Sequence, residues 1–232
     1  TATDAAGNTS PCSAPFAYTE DSMAPSSQID FPLDGATYTS ANYDAGCADA
    51  TPDLCGSASD GVGLDQVEVR IQRASDSNYW NGASWQAGEI WLMADGTTAW
   101  SFDFDPAQDT YTVSSRATDT AGNLESTDMV TFTIDDSAPT APTITDTDPD
   151  SPANDNNPEV KGSAEGGSTV KLYESASCGG AVEAQGSAAS FASPGLTASV
   201  ADNTAAQFTA TATDAAGNTS PCSAPFAYTE DS

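Results

Sequence analysis

Histidine is missing from this chain of 232 residues, and lysine and arginine together number 5 against 34 aspartates and glutamates, a formal net charge of −29. Without histidine, the commonest general base and the commonest metal ligand are both absent. A polyanion with so few cations does not hold nucleic acid through phosphate contacts, and it has no basic patch to seek anionic lipid. No run approaches 18 apolar residues, so no segment is expected to insert into a membrane. Aliphatic residues are scarce as well. Leu, Ile, Val and Phe total 29, about an eighth of the chain, where less than a fifth at high net charge is the composition of disorder. Four Trp, seven Tyr, five Cys and short alternating runs between turn residues argue instead for small folded β-domains with thin cores, held by something besides burial. The chain opens on a polar segment, TATDAAGN, without a signal-peptide pattern, and reads as a part of a longer protein.

Repetition sets the organisation. Residues Thr1 to Ser22, TATDAAGNTSPCSAPFAYTEDS, recur unchanged at Thr211 to Ser232, and a shorter match, RATDTAGN, lies between them at Arg116 to Asn123. The acidic linkers at Asp21, Asp136 and Asp231 divide the chain into three parts. Residues 1–22 are the C-terminal strands of a preceding repeat, 23–137 a longer unit and 138–232 a shorter one. An unchanged copy of this length implies recent tandem duplication.

Both units read as strands. Val67, Val69 and Ile71 alternate with Glu68, Arg70 and Gln72, the period of a half-buried strand. Trp100, Phe102 and Phe104 follow, then Tyr111, Val113, Ser115 and Ala117 on one face, then Val130, Phe132 and Ile134. In the shorter unit these parts fall to Val170 and Leu172, to Leu196, Ala198 and Val200, to Phe208, Ala210 and Ala212, and to Phe226 and Tyr228. Nothing has helical period over ten residues. Units near 100 residues with about seven short strands and turn signals every 8 to 12 residues predict an all-β fold of tandem immunoglobulin-like sandwiches joined by short acidic linkers.

The residues themselves resemble a known family. PTITDTDPDSPANDNNPEVKGSAEGGSTVKLYESASCGG, with TATATDAAGNTSPCSAPFAYTEDS, is similar to the bacterial Ig-like repeats of giant extracellular adhesin and surface-fibre proteins. DGATYTSANYDAGC, GSASDGVGLDQVEVRIQR, YWNGASW and ATDTAGN resemble a second variety of the same superfamily. The resemblance covers nearly the whole chain, and it implies a stalk or adhesin segment outside a bacterial cell, often stiffened by calcium. The turn ATDxAGN marks the class and names no ligand.

Sandwich topology brings acidic residues together. The chain enters an Ig-like fold at the end carrying the B–C and F–G loops. The linker residues Glu20 and Asp21 should therefore meet Asp60 of the B–C loop and Asp119 of the F–G loop. At the second junction Asp135 and Asp136 should meet Glu165 and Asp214, and Asp4 is the earlier copy of Asp214. Four carboxylates in one place repel unless a hard cation sits among them, and calcium takes six to eight oxygen ligands, here with an expected Kd on the order of 10⁻⁴ to 10⁻³ M. The competing reading is that Asp4, Asp119 and Asp214 only close their turns, with Gly7, Gly122 and Gly217 supplying positive φ and Asn8, Asn123 and Asn218 tolerating the left-handed region, while the linker acids are solvated. The run Asp146, Asp148, Asp150 and Asp155 lacks the spacing of an EF-hand and reads as a solvated A–B loop.

Cysteine usage follows the repeat. Cys12 copies Cys222, so its partner belongs to an earlier part of its own domain. That leaves Cys47 with Cys55 and Cys178 with Cys222, against the alternative of free buried thiols; a position of Cys178 beyond the C strand leaves its distance to Cys222 open. Such bonds would contribute about 2.6 and about 4 kcal/mol, and they imply an oxidising, extracellular or cell-surface location.

No nucleophile–base pair is available, and chance pairs of carboxylates in a loop-rich acidic chain make no glycosidase. The chain is expected not to be an enzyme. An isopeptide bond at Lys171 is disfavoured because alternation turns that side chain away from the core. Tyr79, Trp80, Trp85 and Trp91 form the candidate ligand surface, with YWNGASW a hairpin on an Asn81-Gly82 turn; cross-strand aromatic packing over a thin core is the stronger reading. Expected partners are neighbouring identical repeats in the same or an adjacent chain, with any surface glycan or host ligand bound through other parts of the protein. The alternatives to a calcium-stiffened stalk are a fibre subunit assembled by strand complementation and a carbohydrate-binding module.

Overall fold

The computed structural model describes residues 1–43, 46–47 and 53–232, with Asp53 described by its backbone. Among them, strands β1 (Ser26–Phe31), β2 (Thr37–Tyr38), β3 (Asp53–Ser59), β4 (Leu64–Arg73), β5 (Tyr79–Trp80), β6 (Trp85–Gln86), β7 (Leu92–Met93), β8 (Asp95–Gly96), β9 (Ala99–Asp103), β10 (Asp109–Asp119) and β11 (Asp128–Ile134) build a first sandwich. Its sheets run in the order β1-β3-β9-β8 and β2-β11-β10-β4-β5-β6, the ABED and GFC arrangement of an immunoglobulin-like fold. Strands β12 (Thr143–Asp148), β13 (Glu159–Ser163), β14 (Thr169–Glu174), β15 (Ala184–Ser187), β16 (Leu196–Thr197), β17 (Ala205–Thr213) and β18 (Phe226–Thr229) build a second, with sheets β12-β13-β16 and β15-β14-β17-β18. Two helical turns, α1 (Ser40–Tyr43) and α2 (Ala188–Ala192), complete the elements. Ser187 caps α2 by accepting from Ser190 N, and the helix buries Phe191. This turn has no signal in the periodicity, because five residues are too few to show one.

The alternating runs form the strands expected of them. Val67, Val69 and Ile71 point inward from β4, opposite Ala117, Ser115 and Val113 of β10. Phe102 and Phe226 are only half-buried, each lying near the end of its strand. The shortage of aliphatic residues is met differently in the two sandwiches. The first uses a chain of rings: Phe31, Tyr43, Phe132, Tyr111 and Trp85 follow one another at centroid distances of 5.2, 5.3, 5.4 and 5.8 Å. Large rings bury much area per residue, so few are needed. Tyr111, at the start of β10, donates its hydroxyl to Ala107 O at 2.7 Å, the tyrosine corner of this fold class; burial pushes its pKa up to about 12. Gly56 lets Trp100 lie flat on β3, since a Cβ there would fall 2.4 Å from that ring and 2.0 Å from Gln28 O. In the second sandwich, Ala188, Ala198, Ala206 and Ala210 stand at buried positions. Methyl groups bury little, which leaves more of the stability to cross-links.

Those cross-links are present. Cys47 bonds to Cys55, and Cys178 to Cys222 with Cα atoms 5.8 Å apart. The distance left open by the sequence closes because Cys178 takes a positive φ of 53° and its N–H bonds Thr209 Oγ1 at 2.9 Å, turning the chain back toward β17. Cys222 lies in the segment leading into β18, not in the last strand itself. Within the loop CADATPDLC, residues 48–52 lie outside the described residues. No helix among the described residues is long and apolar enough to cross a membrane.

Candidate metal centre

One turn occurs three times with nearly the same bonds, Asp214 Oδ1 taking Gly217 N where Asp119 and Asp4 take the N–H two residues on. Asp119 Oδ1 accepts from the N–H groups of Ala121 and Asn123, each at 2.8 Å, and its Oδ2 accepts from Asn123 Nδ2 at 2.7 Å. Asp214 repeats this with Asn218, and Asp4 with Asn8. Gly7, Gly122 and Gly217 supply the positive φ of 92°, 92° and 99°. The asparagines do not take left-handed backbone, so the expected reason for them is corrected: their amides work as donors. Asn123 Nδ2 also donates to Asp21 O at 3.2 Å, and Asn218 Nδ2 to Asp135 O at 2.7 Å. Each F–G turn thus grips the linker that enters its own sandwich. Sequence reasoning missed this role, because the asparagine of ATDxAGN has enough to do inside its turn.

At the first junction three carboxylates converge. Single oxygens of Asp21, Asp60 and Asp119 lie within 4.8 Å of one another. Asp60 Oδ2 accepts from Val62 N at 2.6 Å and Gly63 N at 2.8 Å, and Thr120 N bonds Gly63 O at 2.9 Å, tying the B–C loop to the F–G loop. The two N–H bonds hold the Asp60 carboxyl below the usual range, against the opposing charge of Asp119. Burial pushes Asp119, which is 1% exposed, upward; its bonds from Asn123, Ala121 and Gly122 outweigh this and leave it lowered. Both groups are therefore anions at neutral pH. Asp21 brings a third carboxyl group: its Oδ1 accepts from Met23 N at 3.1 Å, while its buried Oδ2 has no hydrogen-bond partner. A buried carboxyl oxygen without a hydrogen-bond partner, on a residue clustered with two anions, is costly unless a cation completes it. Carboxylate oxygens are also what a hard cation selects, so the donor set fits calcium.

Glu20 does not join them. It is exposed, and the register of its copy explains why: in β18 and the residues after it, Tyr228 and Glu230 point inward while Thr229 and Asp231 point out. Glu230 is 1% exposed and stands where the first sandwich has Ile134, its Oε2 accepting from Asn203 N. In the copy at 226–232 the glutamate thus belongs to the sandwich that is ending, and the aspartate after it points away.

The second junction is built differently. Asp135, Glu165 and Asp214 line one pocket of about 270 Å³ together with Thr37, Thr133 and Ser168, but no three of their carboxylate oxygens come within the 4.8 Å that joins Asp21, Asp60 and Asp119. Glu165 is exposed, on a B–C loop closed by bonds from Ser168 to its backbone carbonyl and not to its carboxylate. Asp136 turns back to the first sandwich, accepting from Ser40 N at 2.8 Å and from the Ser40 hydroxyl, which lower its pKa. The expectation of a matching four-carboxylate cluster here is corrected to an open pocket with the Asn218 grip.

A family model described as bacterial Ig-like domain matches residues 21–136. The chain belongs to this family. Among solved structures, the fibronectin(III)-like modules of CbhA from Clostridium thermocellum are similar at 12% identity and a TM-score of 0.40, over 89% of this chain and 95% of theirs. A Ca²⁺-stabilized adhesin of an Antarctic bacterium is similar at 19% identity and a TM-score of 0.36, over 99% of this chain and 54% of that one. The D00–D0 domains of intimin are similar at 14% identity and 0.31, over 88% and 98%. No curated protein matches the chain.

In this bacterial Ig-like chain Tyr79, Trp80, Trp85 and Trp91 are each half-buried. Trp80 pairs with Trp85 at 5.3 Å, and both contact Phe104, at 5.9 and 6.1 Å. The hairpin loop has four residues, 81–84, in place of a two-residue Asn81-Gly82 turn, because Asn81 Oδ1 caps Ala83 N and Ser84 N at 3.0 and 2.8 Å. The guanidinium groups of Arg116 and Arg70 lie 4.1 and 4.9 Å from the Trp91 ring, and that of Arg70 lies 6.0 Å from the Tyr79 ring. Arg70 and Arg116 in turn pair with Glu89 and Glu68. Trp80 and Trp85 pack against the core of the first sandwich.

Proposed function

We propose that this chain is a non-catalytic, load-bearing segment of an extracellular bacterial stalk or adhesin, built as a tandem array of Ig-like modules, 23–137 and 138–232, with 1–22 ending an earlier one. A calcium ion held by Asp21, Asp60 and Asp119 fixes the entering linker to the longer module. The observation that carries this reading is the buried Oδ2 of Asp21, without a hydrogen-bond partner, on a residue whose carboxyl group clusters with the lowered carboxylates of Asp60 and Asp119. The turns have already satisfied their N–H groups, so the remaining lone pairs of the three carboxylates are available to the ion, and water completes its shell. At separations below 5 Å, salt with a Debye length of about 8 to 10 Å does not screen the three anions from one another. Without the ion their repulsion opens the hinge; with it, the linker, the B–C loop and the F–G turn become one body. The second junction, gripped by Asn218 and wet, bends more. Stiff and compliant joints then alternate along the array, and the high negative charge keeps it extended and soluble.

The test is calcium titration of the intact chain by isothermal calorimetry, beside magnesium and sodium at matched ionic strength. One site with a Kd on the order of 10⁻⁴ to 10⁻³ M is expected, lost in Asp60→Asn and retained in Glu165→Gln. Binding equal in both variants, or no binding of calcium above magnesium, overturns the reading.

A further inference from the structure

The longer module begins and ends on neighbouring strands. β2 and β11 run parallel, with Thr37 opposite Thr133 and Tyr38 opposite Ile134. Gly35 N donates to Thr131 O at 2.7 Å, Thr133 N to Ala36 O at 3.0 Å and Asp135 N to Tyr38 O at 2.9 Å. Carboxylates extend this seam past both ends of the pair. Asp34 Oδ1 accepts from Thr131 N at 2.9 Å, and Asp136 Oδ1 accepts from Ser40 N at 2.8 Å. Nearer the entering linker, Glu125 Oε1 accepts from Ser27 N of β1 at 2.6 Å while its Oε2 accepts from Ala117 N of β10 at 2.8 Å, which joins the first strand to the opposite sheet. Hydrogen bonds to an anion are roughly twice as strong as those between neutral groups. In the shorter module the same place holds one parallel bridge, Ala153 to Glu230. Ala153 N bonds Thr229 O at 3.1 Å, Asp231 N bonds Ala153 O at 3.0 Å, and Thr229 N bonds Ser151 Oγ at 2.8 Å.

We propose that the seam between residues 34–40 and 131–136 is the clamp by which the longer module resists tension, and that the shorter module yields first and lengthens only as far as its disulfide allows. The chain enters the first sandwich at Asp21, gripped by Asn123 of the F–G turn, and leaves it at Asp136, past the far end of β11. Tension on the two linkers therefore pulls β2 and β11 along their own axes in opposite directions. Parallel strands loaded in this way must slide, so every bond of the seam stretches at once, whereas strands pulled apart sideways lose one bond at a time. The seam with more bonds and with anionic acceptors at both ends holds longer. In the shorter module the release stops at Cys178–Cys222, a loop of 44 residues in sequence. The chain from Thr143 to Thr229 outside that loop extends by at most about 150 Å, against about 360 Å for Ser26 to Ile134 outside the Cys47–Cys55 loop. The proposal rests on the load-bearing reading above and not on the calcium ion.

The experiment pulls the full chain by its two ends in an atomic force microscope, in calcium-free buffer. The first rupture is expected to release about 150 Å and the second about 360 Å. Dithiothreitol added after the first rupture is expected to give a further step of about 150 Å, as its thiolates reduce the Cys178–Cys222 bond to two thiols and are themselves oxidised to a cyclic disulfide. Forced unfolding follows the unfolding rate, so Asp34→Ala with Asp136→Ala is expected to raise the rupture rate of the longer module at fixed force at least about tenfold. Val69→Ala, which thins the buried core of the same module away from the seam, is expected to raise it less than about threefold when the two are compared at the same loss of stability in urea. Rupture of the longer module first, or equal sensitivity to the seam and core variants, overturns the inference and leaves the load-bearing reading standing. If neither module resists more than the unfolded chain does, both fail. Should the double variant not fold, Asp34→Ala alone is compared with Val69→Ala in the same way, and an equal effect refutes the clamp.

Discussion

Removing each disulfide separately tests whether the cross-links replace core burial. Cys178 and Cys222 are separated by 44 residues in sequence, Cys47 and Cys55 by 8. If the bonds act by restricting the unfolded chain, the longer loop is worth about 4 kcal/mol and the shorter about 2.6 kcal/mol. A module of this size has about 5 to 15 kcal/mol in all, so the Cys178→Ser/Cys222→Ser variant loses a large share and its shorter module melts roughly 16 to 30 °C lower. Tryptophan fluorescence separates the effects, because Trp80, Trp85, Trp91 and Trp100 all lie in the first sandwich. Urea unfolding of that variant followed by fluorescence should match the parent, while circular dichroism reveals an early transition. Cys47→Ser/Cys55→Ser should shift the fluorescence transition and leave the other in place. A cost of the longer loop equal to or below that of the shorter one, or a shared shift of both transitions, would refute the entropic argument and the independence of the two cores.

Three further outcomes are expected. Glu230→Ile, which restores the residue found at the equivalent Ile134, should stabilise the shorter module by about 1 to 3 kcal/mol, because it removes a buried carboxylate oxygen without a partner; a loss of stability in urea would show that the carboxylate is satisfied in solution. Asn218→Ala deletes the bonds to Asp214 and to Asp135 O, so protease nicking of residues 135–140 should rise several-fold, with Asn123→Ala acting likewise at residues 21–25 only when calcium is chelated. Acid should act late. Burial raises Asp119 and Asp214, but their turn bonds outweigh it and leave both lowered, and the bond to Arg73 lowers Asp76 to about 2. Depressed carboxyls contribute stability that is present above the unfolded value near 3.9 and lost as pH falls through the folded one. Melting temperatures in calcium-free buffer should therefore hold from pH 7 to about 4.5 and drop between about pH 4 and 2; a drop that begins near pH 6 would contradict the assignment.

The strands were legible because period-2 alternation needs only a two-sided sheet, and β4, β10 and β11 carry it in full. The turn ATDxAGN was legible because aspartate, glycine and asparagine at fixed spacing close it by local bonds. Meeting of Asp21, Asp60 and Asp119 followed from topology alone, since those residues stand at the same end of any Ig-like sandwich. Glu20 was read as a ligand although YTED alternates in plain sight: in its copy, Glu230 is buried where Asp231 is exposed, and adjacency to Asp21 hid that alternation. The B–C loop of the shorter module looked equivalent to that of the longer one, yet a glycine-rich SAEGGS closes through backbone carbonyl bonds and leaves Glu165 in water.

What the residues determined by themselves is local and periodic: which segments are strands, where turns close, and that four cysteines must supplement a poor interior. The tertiary structure alone decided distances across the sequence. It brought Cys178 within bonding range of Cys222 through one left-handed residue, packed Trp80 and Trp85 half-buried against the core, and made one linker a three-carboxylate cluster and the other an open pocket. Those outcomes depend on how two sheets and two modules sit against each other. Contacts between residues a hundred positions apart leave no period in the chain for a reader to find.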